Sequence, residues 1–127
     1  MKDRLSYEER VAVTQKVFRL FADWAIPPGD MPRLLGLPPG IKRRELNRYR
    51  LGTPLDEGSE AYARTGLFLE IDNALHKLFP HSSLSANLWI TTPRLKFGNE
   101  TPLALMLRRG LDGIRMVRDA LHHPHGW

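Results

Sequence analysis

Prolines and glycines cut this chain at short intervals, at Pro27-Pro28, Gly36, Pro38-Pro39, Gly52, Pro80, Pro93, Gly98, Pro102 and Gly110. Proline cannot continue a helix interior, and glycine readily takes the left-handed conformation that ends a helix. Several short elements and two longer ones, over residues 6–26 and 57–79, fit between such breaks. Within them apolar residues recur at helical spacing, no stretch alternates convincingly as a strand, and no internal repeat is visible. The expected fold is all-α, with about six to seven helices.

Local signals place these helices. Tyr7, Val11, Val17, Phe18, Phe21, Trp24 and Ala25 recur close to a helical period from Ser6 to Ile26. Ser6 and Glu9 form a capping box there, and Pro27-Pro28 are expected to stop the helix. Asp30 is expected to cap a short second helix carrying Met31, Leu34 and Leu35, closed by Gly36. The segment GIKRRELNRYRLG reads as a third helix ending at Gly52, with Pro39 in its first turn. A fourth runs from about Glu57 to Phe79, with Leu67, Ile71, Ala74, Leu75 and Leu78 on one face. Gly66 lies inside it at a cost of up to about 1 kcal/mol relative to alanine, so a close packing contact is expected there. Ser82 or Ser83 opens a short helix through Trp89, followed by the irregular ITTPRLKFGNE. Thr101-Pro102 is a cap with proline in the first helical position, opening LALMLRR and closing at Gly110. Asp112 is expected to cap the last helix, where Ile114, Val117 and Leu121 share a face.

The 127 residues suit one compact domain, or two small subdomains sharing a core. Without cysteine, disulfides, thiolate metal sites and cysteine nucleophiles are excluded. No apolar run is long enough to span a membrane, and MKDRLSYEER lacks the apolar core of a secretory signal. A cytoplasmic protein is the plain expectation. The formal charge of +5 is uneven: residues 1–55 hold 11 Lys/Arg against 6 Asp/Glu, and residues 56–127 hold 8 of each. A basic half joined to a neutral half suggests two tasks, one facing a polyanion.

The basic half offers a reader. Two short helices joined by a tight glycine-containing turn, the second one basic, outline a helix-turn-helix. On the third helix Arg43, Asn47 and Arg50 align at i, i+4 and i+7, with Arg44 and Arg48 on the adjoining arc; Ile41, Leu46 and Tyr49 fall on the other side, where Lys42 and Glu45 intrude. Arginine and asparagine can pair with guanine and adenine edges in the major groove, and the other cations neutralise phosphates. The plainer alternative is a solvated charged face. Pro38 and Pro39 stand where a Ser or Thr cap would ordinarily open such a helix.

Catalytic chemistry finds little footing. His122, His123 and His125 are terminal, lie around a proline, and have no carboxylate or thiol at ligand spacing. Glu70, Asp72 and His76 read as an exposed helical group lacking a nucleophile or a glycine-rich loop, and GIKRRE is not a phosphate loop. A protein that is not an enzyme, with no cofactor and no metal, is expected.

Residues 84–121, LSANLWITTPRLKFGNETPLALMLRRGLDGIRMVRDAL, resemble the toxin-binding domain of the Xre/MbcA/ParS antitoxins. The matching positions are Trp89, Pro93, Phe97, Gly98, Thr101, Pro102, Leu103, Gly110, Val117 and Leu121. Upstream, LFADW, RLLGL, a basic helix ending in RLG and a long helix ending in HKLFP are similar to the family's Xre-like DNA-binding region, in the same order. The resemblance implies a helix-turn-helix region over residues 1–55, then a connecting helix and a toxin-binding domain over residues 56–127.

It further implies a type II antitoxin whose partner is a RES-domain toxin that depletes NAD or uses it for ADP-ribosylation. The antitoxin would cover the toxin's NAD pocket, repress its own operon by binding operator DNA, and form a homodimer. Expected DNA-contacting residues are Lys42, Arg43, Arg44, Asn47, Arg48 and Arg50. Expected toxin-contacting residues are Arg94, Lys96, Phe97, Asn99 and Glu100 of the loop, with His122, His123, His125 and Trp127 of the tail. The competing reading is a stand-alone helix-turn-helix regulator without a toxin, and a second competitor is an adaptor whose basic helix never meets DNA.

Overall fold

The computed structural model describes residues 5–123. Among these, the regular structure is helical throughout: α1 (Tyr7–Asp23), α2 (Met31–Leu35), α3 (Arg43–Arg50), α4 (Glu60–Leu78), α5 (Ser83–Trp89), α6 (Pro102–Arg109) and α7 (Leu111–His122). Two 3₁₀ turns, Pro28–Asp30 and Leu95–Phe97, complete it. The all-α expectation holds.

Several boundaries follow the sequence signals. Ser6 accepts from the Glu9 amide at 3.1 Å and donates its own amide to the Glu9 carboxylate at 2.9 Å, the capping box that opens α1. Ser82 caps α5 and Thr101 caps α6, each accepting from the amide three residues on. Pro102 occupies the first turn of α6, where an amide would lack a partner in any case.

Other boundaries differ, for identifiable reasons. α1 stops at Asp23, ahead of Pro27-Pro28, because Ala25 turns left-handed at φ 57°. The Ile26 amide then donates back to the Phe21 carbonyl at 3.0 Å and the Ala25 amide to that of Ala22 at 3.0 Å, which drives Ile26 into the core. This is a Schellman ending with alanine at the position glycine usually holds. α3 begins only at Arg43, with extended Lys42 before it, so Pro39 lies in the preceding connection and not in the helix. Ser59 starts α4 later than Glu57 by accepting from the Tyr62 amide at 3.1 Å. Gly110 directly precedes α7, so Asp112 sits in its first turn and is not its cap.

One core runs through the whole described chain. α4 lies at its centre, packed against α1, α2, α5 and α7. Phe68 of α4 meets Phe21 edge-on with centroids 4.9 Å apart, and Trp24 at 6.3 Å. Such aromatic pairs add to the burial of their own area. Thr14 is fully buried, yet its hydroxyl donates to the Arg10 carbonyl at 2.8 Å and accepts from the Leu55 amide at 3.0 Å. The link between α3 and α4 is thereby pinned to α1.

The close backbone contact expected at Gly66 occurs elsewhere. Gly66 is exposed, and a methyl group there would meet nothing within 4 Å. Gly113 is the tight position: a Cβ on it would stand 2.5 Å from the Leu105 carbonyl oxygen and 3.0 Å from the Met106 Cα. α7 crosses α6 at that point. Period-based reading could not separate the two glycines, because both lie inside helices.

Candidate functional site

Two surfaces carry the residues singled out from the sequence. The first is α3 with its approaches. Leu46 is its buried anchor, and Tyr49 lies half-buried, stacked on Phe18 with centroids 6.2 Å apart. These contacts turn the opposite arc outward, leaving Lys42, Arg43, Arg44 and Arg48 exposed and Asn47 half-buried. Arg50 is exposed as well, but the end of its side chain turns inward. Its guanidinium bends back over Phe18, 5.7 Å from the ring centroid, and donates to Met31 Sδ at 3.3 Å and Asn47 Oδ1 at 3.4 Å. Residues 36–42 separate α2 from α3. That connection is longer than the turn of roughly 3–4 residues in the compact motif, and in this respect the tight turn read from the sequence is corrected.

The second surface is built on Trp89, the last residue of α5, buried to 1% exposure. The loop after it closes on itself. The Arg94 amide donates to the Glu100 carbonyl at 3.1 Å, and the Asn99 and Phe97 amides both reach the Arg94 carbonyl, at 2.9 and 3.0 Å. Gly98 and Asn99 take consecutive left-handed conformations, φ 66° and 69°, which reverse the chain. Glycine and asparagine are the residues that tolerate this at least cost.

Side chains then lock the loop to the helices. Phe97 packs edge-on against Trp89 at 6.5 Å, and the Arg94 guanidinium lies over the same indole at 5.0 Å. Desolvation there pulls the Arg94 pKa below its ordinary value. Glu100 takes a two-pronged bond from Arg108 of α6, at 2.8 and 3.1 Å, and that pairing holds its carboxyl below the usual range. Leu103 donates its amide to the Ile90 carbonyl at 3.0 Å, tying α6 to the end of α5.

The loop also meets the end of α7. Lys96 Nζ donates to the His123 carbonyl at 3.2 Å across 27 residues of sequence. Of the loop residues, Lys96 therefore reaches the end of α7. His122 and His123 are exposed, and the His122 ring bonds the Arg118 carbonyl at 2.8 Å. His125 and Trp127 lie outside the described residues. Arg94 and Phe97 were expected on the surface and are half-buried, because each covers one side of Trp89.

Sequence reasoning passed over the apolar side chains of this region. Leu84 and Leu88 lie four residues apart on α5, 69% and 52% exposed, and Leu95 in the loop is 77% exposed. It also passed over Arg64 as a junction. That side chain is buried, donating to the Leu34 carbonyl at 3.1 Å and to Glu60 at 3.1 Å, so α4 caps the end of α2. An arginine four residues after a glutamate inside a helix gives no hint of such a reach.

Neither surface gathers reactive groups. His76 bonds Asp72 at 3.1 Å, whereas Glu70 faces Arg118 at 3.4 Å, so this acid and base have separate partners. Among the described residues no group of three or more His, Asp or Glu is placed to hold a metal ion. No helix there is long and apolar enough to cross a membrane.

Residues 74–123 match the family model described as the antitoxin Xre/MbcA/ParS C-terminal toxin-binding domain. The matched segment starts in the last turns of α4 and takes in α5, the loop, α6 and α7. No curated protein gives a significant match to the chain.

Proposed function

We infer, from the match of residues 74–123 to the Xre/MbcA/ParS toxin-binding domain, that the chain is an antitoxin of that type and neutralises a RES-domain, NAD-consuming toxin by covering the toxin's NAD pocket. The observation that carries this reading is the coincidence of the matched segment with the loop-and-tail surface joined at Lys96 and His123. Blocking a pocket requires shape and anchors, with no chemistry of the blocker's own. The loop supplies a fixed frame through Trp89, and exposed Leu84, Leu88 and Leu95 supply apolar contact area nearby in sequence. Lys96, Asn99 and the rim of Arg94, Phe97 and Glu100 would set the register, with His122, His123, His125 and Trp127 following the loop onto the toxin.

In the same reading the protein is a homodimer that represses its own operon. The exposed arc of Lys42, Arg43, Arg44 and Arg48 would lie along operator DNA, with Asn47 and Arg50 at its inner edge. Five exposed cations on one short helix and its approach, Arg50 included, suit phosphate neutralisation, and affinity would fall steeply with salt.

Co-expression with an adjacent RES-type open reading frame tests the toxin arm. Growth rescue together with co-purification of the two chains is the expected result, and failure of both would overturn it. A mobility shift on the gene's own upstream region at several salt concentrations tests the DNA arm. Operator binding without rescue or co-purification would return the stand-alone regulator.

A further inference from the structure

A cleft of about 610 Å3 opens between α1, the 3₁₀ turn at Pro28–Asp30, α2 and the end of α3. It borders the α3 surface at Arg50, and it lies outside the segment that matches the toxin-binding domain. Its floor is apolar, made by Phe18, Ala22, Ile26, Pro28 and Met31. Its polar lining is Gln15, Arg19 and Arg50, and no carboxylate lines it. The volume lies within the range of small-molecule sites, which are concave, mostly apolar and marked by a few convergent polar groups.

Among the described residues no ion pair holds the arginines of this cleft, although Arg19 also lines a neighbouring hollow with Asp23 and Asp72. Neither Arg19 nor Arg50 has a carboxylate within ion-pairing distance among the described residues. Arg50 is held by a thioether, an aromatic face and a long bond to an amide oxygen. Gln15 fixes the backbone beneath it by donating to the Arg50 carbonyl at 3.0 Å. A guanidinium is a rigid fork that matches a carboxylate with two parallel bonds. Here it stands at the mouth of an apolar trough without that partner.

We propose that this cleft binds a small apolar carboxylic acid, with its hydrocarbon body on Phe18, Ile26 and Met31 and its carboxylate on Arg50 and Arg19. The anion replaces weak partners of Arg50 with a charge-assisted pair, and the body covers exposed Ala22 and Pro28 above the buried Phe18, Ile26 and Met31. Both contributions are needed, so neither an uncharged body nor a bare anion satisfies the site. The proposal rests on the geometry of the cleft; it shares Arg50 with the operator reading, and Arg19, outside that reading, separates the two.

The test is a titration of the full chain with sodium octanoate, followed by amide chemical shifts, with octanol and octylammonium as matched controls. Saturable shifts confined to residues 15–31 and 50–51 are expected with octanoate, about tenfold weaker binding with octanol, and none with octylammonium. Arg50→Gln and Arg19→Gln should each weaken octanoate about tenfold or more, the loss expected for one charge-assisted pair. Ala22→Trp, at an exposed cleft position, should block it by filling the trough. Equal binding of octanol and octanoate, octanoate shifts scattered over the molecule, or unchanged affinity in both glutamine variants would overturn the proposal.

Discussion

Arg64 and Gly36 are fitted to each other: a Cβ on Gly36 would stand 3.0 Å from the Arg64 Cζ, with the glycine itself left-handed at φ 68°. The missing side chain lets the guanidinium reach past the end of α2 to the Leu34 carbonyl at 3.1 Å. Arg64→Met should therefore destabilise the fold by about 2–3 kcal/mol, since it strands a buried carbonyl and loses a charge-assisted bond. Gly36→Ala should cost about 1–2 kcal/mol through backbone strain and displacement of the same side chain. Chemical denaturation of both single variants and the double variant checks this, and the two losses should sum to more than the double variant loses.

The two helical glycines predict effects of opposite sign. Gly66→Ala should stabilise by up to about 1 kcal/mol, because the added methyl meets open space and removes unfolded-state freedom. Gly113→Ala should destabilise by about 1–3 kcal/mol, because its methyl would press on the Leu105 carbonyl across the α6–α7 crossing. Thermal melts of the two variants side by side suffice.

Glu100 gives a pH signature. Its folded pKa is depressed by the hydrogen bonds from Arg108, so the tie is fully present above the ordinary carboxylate range. It is lost as pH falls through the lowered folded value. The Glu100 carboxyl resonance should thus titrate at lower pH than a free glutamate. Arg108→Met should move it upward, and no shift between the two proteins would refute the assignment.

The basic face is tested by replacing Arg43, Asn47 and Arg50 together with alanine. Operator binding should be lost while toxin neutralisation is kept. Unchanged binding and salt dependence on its own promoter would mean that another element reads the DNA.

Deleting residues 122–127 tests the tail. Toxin inhibition should fall while the fold persists, because the deletion removes exposed His122 and leaves the α7 core residues Ile114, Val117 and Leu121 in place. Intact inhibition would confine the contact to the loop and α5.

Capping chemistry was the most legible layer of this chain, although Asp30, expected to cap α2, makes no side-chain cap bond there and closes the preceding 3₁₀ turn instead. Ser6-Glu9, Ser82, Gly36 and Thr101-Pro102 each act through atoms within five residues, so their outcome is written locally. The left-handed Ala25 was not, because it depends on Ile26 finding the core behind α1. The same limit applies to Gly66 and Gly113, which only tertiary packing distinguishes. At the candidate toxin surface, the turn at Gly98 could be read from sequence, whereas its contact with the end of α7 through Lys96 could not. The return of Arg50 toward Phe18 and Met31 was likewise out of reach, since helical periodicity assigns a direction to the Cβ and none to the end of a long side chain.

Phe68 seats its ring against Phe21 and Trp24, so the first and second halves of the chain bury the same aromatic cluster. Neither half can melt while the other stays folded without exposing that cluster to water. Among the described residues, a protease that needs this cluster opened then meets α1 and α4 as one unit. The lifetime of one helix in a cell is the lifetime of the other.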